Sequence, residues 1–382
     1  SSELDQGGSD TITTGVGSQT VVGGNAGDTI TTGSAGDGDL TDDVVIGDNG
    51  EITYNASGVI TQIDSTDTDA ATGDADTIAL GDGDNRVIGG LGGDTITTGV
   101  GVDVVVGDNG TIDYDAAGAN LSQIQTTETD LGGDDTIDIG LGDGTVAGGQ
   151  GADDITGTDG DHVVLGDNGS ITYSAAGVVT QIDSNDPDAS TGAADSILLG
   201  DGDNRIIAGI GADSVTTGTG SDVIVGDNGT IDYDASGANL AQVQSTELGE
   251  GGIDTITTVD GAKTIIAGQG GDSVTAGDGE HVVVGDNGSL SYDTDGAIKV
   301  LDTSDADGTT GGDDSILLGD GDTHILGGVG GDTIESGDGS GIILGDNGTV
   351  TYAGATGSLE LSSIVSSELD QGGSDTITTG VG

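Results

Sequence analysis

The stretch DADTIALGDGDNRVIGGLGGDTITTGVGVDVVVGDNG, residues 74–110, decides the fold of this chain. It alternates glycine-rich runs with short segments centred on Val or Ile, and these central residues recur every nine positions as Ile78, Val87, Ile96 and Val105. β-branched residues favour strands, and glycine favours the turns between them. The period therefore predicts short strands that alternate with tight turns.

The same apolar position can be followed through the whole chain. It is occupied by Ile12, Val21, Ile30 and Val45, then Ile78, Val87, Ile96 and Val105, then Ile137, Val146, Ile155 and Val164, then Ile197, Ile206, Val215 and Ile224, then Ile256, Ile265, Val274 and Val283, and finally Ile316, Ile325, Ile334 and Ile343. The next position of the period is always tyrosine, at Tyr54, Tyr114, Tyr173, Tyr233, Tyr292 and Tyr352. Only the first repeat needs an insertion, of six residues within 34–43, to keep this register. Disorder does not require such regularity, so the pattern indicates a tandem-repeat fold.

A longer period is marked by the tetrapeptide GDNG, which starts at residues 47, 107, 166, 226, 285 and 345. The spacing of 59 or 60 residues predicts complete repeats at 47–106, 107–165, 166–225, 226–284 and 285–344, with partial repeats at 1–46 and 345–382. Residues 1–17 recur without change as residues 366–382. We therefore expect the chain to be a segment of a longer tandem array.

Composition limits the partners of this chain. It carries 69 acidic and 4 basic residues, a formal net charge of -65, with 80 glycines and 2% aromatic residues. High charge with few aromatics is typical of disorder, which the strict period argues against. Such a charge repels nucleic acid and anionic membranes and attracts multivalent cations. Calcium is the natural candidate, because it binds carboxylate and backbone carbonyl oxygens.

Several classes of protein are disfavoured by what the sequence lacks. It has no cysteine, so disulfides and thiolate metal sites are excluded, and it has no apolar run of membrane-spanning length. The histidines, His162, His281 and His324, are far apart in sequence, which argues against a zinc site or a catalytic triad. We expect neither an enzyme nor an organic cofactor.

Aspartate is placed regularly two residues before the apolar position. The first and third turns of every repeat carry it, at Asp10, Asp28, Asp76, Asp94, Asp135, Asp153, Asp195, Asp213, Asp254, Asp272, Asp314 and Asp332. The second turn instead carries Gln19, Asn85, Gly144, Asn204, Lys263 and Thr323, and the fourth carries Asp43, Asp103, His162, Asp222, His281 and Gly341. The two kinds of turn therefore differ in their supply of carboxylates.

Three nonapeptides carry a family resemblance. GGLGGDTIT at 89–97, GGQGADDIT at 148–156 and GGVGGDTIE at 327–335 match the GGxGxDxUx repeat of RTX (repeats-in-toxin) proteins, and related strings extend the match over about three quarters of each repeat. The resemblance implies an all-β fold, a parallel β-roll or β-solenoid of nonapeptide repeats that binds several Ca²⁺ ions. It also implies that two nonapeptides form one coil, so that successive turns alternate between two edges.

The resemblance supplies candidate calcium ligands. They are the first- and third-turn aspartates given above with Asp375, the fourth-turn residues Asp43, Asp103 and Asp222, and the aspartates of the GDNG elements, Asp48, Asp108, Asp167, Asp227, Asp286 and Asp346. Because the second and fourth turns have lost many aspartates, we expect the two edges to differ in calcium content. Lys263 occupies one of these turn positions, and an ammonium at a ligand position replaces a cation instead of binding one.

The apolar interior expected from this pattern is one residue wide. That is too little apolar area to offset a backbone entropy cost of roughly 1–2 kcal/mol per residue. We therefore expect ion binding to stabilise the fold and the metal-free chain to be largely unfolded.

The segment after each GDNG departs from the plain RTX pattern. The Asp-Asn-Gly run predicts a tight turn with positive φ, followed by a strand that ends in tyrosine, a second turn such as NASG at 55–58, and a hairpin or a widened coil. The tyrosine ring is expected to plug this junction, with its hydroxyl at solvent or a carbonyl. The acidic loops at 64–76 and 183–195 are expected to be solvated, with calcium as the alternative.

The leading functional hypothesis is a structural calcium-binding array of a secreted bacterial protein, located outside the cell or at its surface. It resembles the repeat regions of giant RTX adhesins and biofilm-matrix fibres, which implies folding on calcium and self-association into a filament or tandem array. The alternatives are a surface-layer or sheath lattice, a carbohydrate- or partner-binding module on a solenoid scaffold, and ice binding through Thr-Ile-Thr triplets such as 29–31.

Overall fold

The computed structural model describes residues 7–33, 38, 40–65, 67–69, 72–184, 190–303, 308–356, 358–367 and 371–381. Within these residues every regular element is a β-strand, and the strands form long parallel sheets together with antiparallel hairpins. No helix that is long and apolar enough to cross a membrane occurs in this part of the chain. The prediction of an all-β solenoid of nonapeptide repeats is confirmed.

The chain divides into two compact units. Compact unit 1 comprises Ser1–Val178 and Ser190–Asp201, and compact unit 2 comprises Val179–Ala189 and Gly202–Gly382. Each contains strands of two parallel sheets, A and B, and of one antiparallel sheet, C. The repeat boundaries predicted from the GDNG spacing stay a prediction.

In compact unit 1 each sheet is built in sequence order from one class of strand. Sheet A contains β1 (Thr11–Thr13), β3 (Thr29–Thr31), β7 (Thr77–Ala79), β9 (Thr95–Thr97), β13 (Thr136–Asp138), β15 (Asp154–Thr156) and β19 (Ser196–Leu198). Sheet B contains β2 (Thr20–Val22), β4 (Val44–Ile46), β8 (Arg86–Ile88), β10 (Asp103–Val106), β14 (Gly144–Ala147) and β16 (Val163–Leu165). Sheet C contains β5 (Gly50–Tyr54), β6 (Ile60–Ser65), β11 (Gly110–Tyr114), β12 (Leu121–Thr126) and β17 (Ser170–Tyr173).

Compact unit 2 has the same organisation. Sheet A contains β21 (Ser214–Thr217), β25 (Thr255–Thr258), β27 (Ser273–Ala276), β31 (Ser315–Leu318), β33 (Thr333–Ser336) and β37 (Thr376–Thr379). Sheet B contains β20 (Arg205–Ile207), β22 (Asp222–Val225), β26 (Lys263–Ile266), β28 (His281–Val284), β32 (Thr323–Gly328) and β34 (Gly341–Asp346). Sheet C contains β18 (Val179–Asp183), β23 (Gly229–Tyr233), β24 (Leu240–Ser245), β29 (Ser289–Tyr292), β30 (Ile298–Asp302), β35 (Gly348–Ala355) and β36 (Ser358–Ser366).

The nine-residue period fixes the register of the parallel sheets. Ile78 pairs with Ile96 in sheet A, and Val87 pairs with Val105 in sheet B, so each apolar position stacks directly on the next. Every such residue from Val21 to Ile334 is buried, as the period predicts. Only the first and last, Ile12 and Ile343, are partly exposed.

Between its end strands β2 and β34, sheet B is largely buried on both of its faces, unlike sheet A. In β10 the side chains of Val104, Val105 and Val106 are all buried, whereas in β9 only the central Ile96 is buried. A strand that is covered on both sides is expected to have a continuous apolar sequence, as β10 has. The expectation of an interior one residue wide is therefore wrong, because apolar side chains fill the space on both sides of sheet B.

Each segment after GDNG forms a hairpin instead of a widened coil. In the hairpin of β11 and β12, Ile112 pairs with Ile124, and both side chains are fully buried. The positive φ expected within GDNG is found elsewhere: Gly110 begins β11, and Gly118 at the hairpin tip has a φ of 71°. Tip glycines allow this left-handed conformation without steric cost.

The tyrosines connect sheet C to sheet B through side-chain hydrogen bonds. The Arg86 Nε atom donates to the Tyr114 hydroxyl at 2.8 Å, and Arg205 Nε donates to the Tyr233 hydroxyl at the same distance. The expectation of a hydroxyl at solvent or a carbonyl is wrong for these residues. An arginine side chain of sheet B is the hydrogen-bond partner of each hydroxyl instead.

Candidate cation sites at the aspartate edge

The two kinds of turn lie on different edges of the solenoid. We call the turns that lead into sheet A strands the aspartate edge, and the turns that lead into sheet B strands the mixed edge. The first- and third-turn aspartates immediately precede sheet A strands, as Asp94 precedes β9, and therefore lie on the aspartate edge. The second- and fourth-turn residues lie on the mixed edge, as Asn85 does before β8.

The aspartates of the first edge form a ladder of hydrogen bonds between successive turns. The Asp76 N–H donates to Asp94 Oδ1 at 2.7 Å, the Asp94 N–H to Asp135 Oδ1 at 2.7 Å, and the Asp135 N–H to Asp153 Oδ1 at 2.8 Å. Compact unit 2 repeats the arrangement from Asp213 to Asp254, Asp272, Asp314, Asp332 and Asp375. One oxygen of each carboxylate is thus fixed by the backbone.

The second oxygen of these carboxylates is buried and lacks a hydrogen-bond donor. This holds for the Oδ2 atoms of Asp28, Asp76, Asp94, Asp135, Asp153, Asp254, Asp272, Asp314 and Asp332. Buried polar atoms are normally paired, and a buried charge needs a partner of opposite sign. A row of orphaned carboxylate oxygens is therefore the feature that a bound cation would satisfy.

The first glycine of the GDNG elements lies against these same oxygens and against a turn carbonyl. A side chain on Gly107 would overlap Asp135 Oδ2 and lie 2.5 Å from the Gly148 carbonyl oxygen. A side chain on Gly285 would likewise overlap Asp314 Oδ2 and lie 2.5 Å from the Gly327 carbonyl oxygen. Glycine is required here because any larger side chain would overlap the carboxylate, and a carboxylate oxygen and a carbonyl oxygen, both ligand types of calcium, thus face the same glycine.

Burial makes the ionised form of these aspartates costly. Loss of solvation raises the pKa of Asp76 to about 7 and that of Asp153 to about 8, against a backbone hydrogen bond that lowers each. The pKa of Asp135 is raised well above its ordinary value, first by burial and then by the charges of Asp108, Asp153 and Asp94. Mutual repulsion of this kind is relieved by a proton or by a cation.

The aspartates of the GDNG elements are engaged differently. Asp108 accepts the Gly133 N–H at Oδ1, at 3.0 Å, and the Gln150 N–H at Oδ2. Asp227 and Asp286 each bind the backbone of two turns in the same way. Because both oxygens of these three residues already accept hydrogen bonds, their carboxylates are satisfied without a metal ion.

The remaining GDNG aspartates vary in how they are placed. Asp48 accepts the Leu91 N–H at 2.6 Å, while its Oδ1 atom is buried without a donor, and Asp167 is fully buried. Asp346 is partly exposed and accepts a hydrogen bond from the Gly373 backbone.

The aspartates of the mixed edge have protein donors. Asp103 Oδ1 accepts the Asn85 N–H at 2.9 Å and its side-chain amide at 3.0 Å, and Asp103 Oδ2 accepts the Thr98 hydroxyl at 2.8 Å. Asp222 is served by the same donor types, from Asn204 and Thr217. Asp43 accepts the Gln19 N–H at 2.7 Å. In Asp103 and Asp222 both carboxylate oxygens thus have protein donors.

The remaining candidate calcium ligands lie along the aspartate ladder and in the acidic loops. Asp10 is exposed and Asp375 is partly exposed, whereas Asp195 and Asp213 are buried. In the first loop, Asp67 accepts the Asn49 amide at 3.0 Å, which makes it a structural anchor. Residues 66, 70–71 and 185–189 of the two acidic loops lie outside the described residues, and calcium in these loops stays a prediction.

No three carboxylate or imidazole side chains in the described part of the chain form a ready metal-binding cluster. A cation at the aspartate edge would therefore take few carboxylate oxygens and complete its shell with turn carbonyls and water. Calcium accepts such mixed oxygen ligands in irregular geometry. The residues present fit calcium by donor type and by the orphaned oxygens.

Sequence reasoning missed the donors that satisfy the mixed edge. Thr98 and Thr217 each stand five residues before the aspartate they serve, in the strings TGVGVD at 98–103 and TGTGSD at 217–222. The presence of threonine in both strings was the available signal. The hydrogen bond itself could not be predicted from this signal, because it depends on the turn geometry that folds the threonine hydroxyl back onto the carboxylate.

No protein-family model and no curated protein matches this chain.

Proposed function

We propose that this chain is a calcium-binding structural segment of a secreted bacterial fibre, stalk or matrix protein that resembles the RTX repeat arrays. The observation that carries the proposal is the row of buried Oδ2 atoms on the aspartate edge, each without a donor. The equivalent carboxylates of the mixed edge have donors, so the difference is specific to one edge.

The aspartate-edge residues, for example Asp76, Asp94, Asp135 and Asp153, would hold the ions together with glycine carbonyls of adjacent turns. Bound calcium would neutralise the carboxylates and link successive coils. The Oδ1 ladder already positions each carboxylate, so each site is partly organised by the backbone. Ion binding to the folded state then adds directly to its stability.

A structural role is favoured over a catalytic one by the regularity of the chain. The same aspartates, glycines and tyrosines recur in every repeat, and a fibre needs repetition more than it needs one distinctive site. The net charge of -65 also suits export into a medium rich in calcium, where bound ions offset the self-repulsion. Self-association into a filament or tandem array is part of this proposal.

The test is a calcium titration of the metal-free chain followed by far-UV circular dichroism and thermal unfolding, with magnesium as the control. We expect calcium to raise the melting temperature at concentrations where magnesium has little effect, because magnesium demands regular octahedral geometry and gives up water reluctantly. Equal melting temperatures with and without calcium would contradict the proposal.

A further inference from the structure

The mixed edge places a side-chain nitrogen where its turn carbonyls converge. Asn85 Nδ2 donates to the Gly81 carbonyl at 3.1 Å and to the Gly83 carbonyl at 2.9 Å. In the first repeat, Gln19 Nε2 does the same with the Gly15 and Gly17 carbonyls, at 3.2 and 2.7 Å. The imidazole Nε2 atoms of His162 and His281 each lie 2.9 Å from the carbonyl four residues earlier.

The turn that ends at Asp222, TGTGSD at 217–222, contains no side-chain nitrogen. Lys263 lies directly beside Asp222 in the register of sheet B and supplies one. Its ammonium donates to the Asp222 carboxylate at 2.6 Å, to the Gly220 carbonyl at 2.8 Å and to the Gly218 carbonyl at 3.4 Å. Both side chains of the ion pair are fully buried.

The surroundings of the Lys263 ammonium are those of a small cation. Three oxygens, one of them anionic, surround a positive charge that has three protons to donate. A buried charge pair is maintained only when its remaining hydrogen bonds are satisfied, and removal of one partner leaves the other uncompensated. Gly218 and Gly220 provide the carbonyls in the same relation to Asp222 as Gly81 and Gly83 have to Asn85.

We propose that Lys263 is a built-in cation of the mixed edge, at the position where neutral side-chain nitrogens lie in other turns of this edge, and that removal of its ammonium opens a calcium site at Asp222. The site consists of Asp222 with the Gly218 and Gly220 carbonyls. The turn that ends at Asp222 is thereby closed without metal. This inference concerns the mixed edge only, and it holds or fails independently of calcium at the aspartate edge.

The chain contains its own comparison. Gly144 takes the place of Lys263 beside Asp103, in the same register. A side chain on Gly144 would overlap Ile139 Cδ1, so an apolar group occupies the space next to this glycine. At the position of Ile139 the second copy has Thr258, which precedes Lys263 by the same five residues. The pair Ile139 and Gly144 thus replaces the pair Thr258 and Lys263.

The test compares Lys263→Gly and Lys263→Met in the full chain. Bound calcium is counted by elemental analysis after equilibration in calcium buffer, and melting temperatures are measured in chelator and in calcium. We expect Lys263→Gly to bind one more calcium ion per chain than the parent and to regain in calcium the stability that it loses in chelator. Lys263→Met keeps an aliphatic stem in the site, so its ion count should stay at the parental value and calcium should not restore it.

A calcium count for Lys263→Gly equal to that of the parent, with no recovery of its melting temperature in calcium, would overturn the inference. If the parent itself binds no calcium, the aspartate-edge proposal fails while the count for Lys263→Gly still decides this one.

A second variant guards against misfolding of the first. The double substitution Ile139→Thr with Gly144→Lys copies the 258 and 263 pair beside Asp103. We expect a higher melting temperature in chelator and no change in the ion count. A lower melting temperature for this variant would contradict the role assigned to the ammonium.

Discussion

Single residues on the two edges differ in what faces the aspartate oxygens. Asp94 Oδ2 is buried with no donor, whereas Asp103 Oδ2 accepts the Thr98 hydroxyl. Asp94 precedes β9 and Asp103 begins β10, and both accept a backbone N–H from the preceding coil at Oδ1. The requirement for a cation is therefore decided by one hydrogen-bond donor per turn.

Replacing Asp94 by asparagine should separate metal-free stability from calcium binding. We expect Asp94→Asn to stabilise the metal-free chain by about 1–3 kcal/mol, because an amide removes an unsatisfied buried charge. The same change should reduce the stabilisation gained from calcium. Chemical unfolding with and without calcium measures both effects.

The matched control is Asp103→Asn on the mixed edge. It disturbs a carboxylate that already has donors, so we expect a loss of stability that is equal with and without calcium. Identical behaviour of the two variants would remove the distinction between the edges.

Stability should depend on pH with opposite signs in the metal-free and calcium-bound states. Burial raises the pKa of Asp76 to about 7, of Asp272 to about 7 and of Asp153 to about 8, above the ordinary value of 3.8. Because these carboxyl groups hold a proton more tightly in the folded state, protonation stabilises the fold fully at pH values below the unfolded pKa. This stabilisation is lost as the pH rises through the folded pKa values of about 7 to 8. The metal-free chain should therefore melt at a higher temperature at pH 5 than at pH 8.

Calcium should reverse this trend, because the ions bind the deprotonated carboxylates. Thermal melts of metal-free and calcium-saturated protein across this range provide the measurement. Parallel pH profiles in the two states would show that the buried carboxylates are not the calcium ligands.

Among the elements, the hairpins of sheet C have the largest effect on the interior. They cover the second face of sheet B, so that β10 is buried throughout while β9 keeps an exposed face. The tyrosine hydroxyls extend this contact to Arg86 and Arg205. The stability of the solenoid thus has a second apolar source besides the stacked Val and Ile residues.

Truncation of this second layer should weaken the fold without affecting ion binding. We expect Ile124→Ala to cost about 2–5 kcal/mol in both the absence and the presence of calcium, since Ile124 is fully buried against the interior. Its calcium affinity should match that of the parent. Gln125→Ala is the control, because Gln125 is exposed on the other face of β12 and its loss should change stability by less than about 0.5 kcal/mol.

For the whole molecule, the dominant quantity is the net charge of -65. Like charges at this density destabilise a compact state, and dissolved salt screens those that are exposed. Raising sodium chloride should therefore increase the melting temperature of the metal-free chain. The increase should be smaller in saturating calcium, where part of the charge is already neutralised, and differential scanning calorimetry at several salt concentrations would detect the difference. A melting temperature that falls with salt in the metal-free state would contradict this prediction.

The sequence by itself determined the parts of the fold that depend on local periodicity. The nine-residue recurrence of positions such as Ile78 and Val87 predicted the strands and their stacked register, because side-chain direction in a strand follows directly from residue spacing. The regular aspartates, together with the two-nonapeptide coil implied by the resemblance to RTX repeats, predicted two chemically different edges. The departure after GDNG predicted an interruption, for which a hairpin was one of two alternatives.

Only the tertiary structure decided what each polar atom faces. It places Thr98 against Asp103, Lys263 against Asp222, and Asp108 against the backbone of two turns, all through contacts between residues distant in sequence or folded back by a turn. It also lays sheet C against sheet B, which widens the interior beyond the one-residue core that the period suggests. A sequence period specifies direction along one strand, whereas burial and hydrogen-bond satisfaction depend on which neighbouring strands cover it.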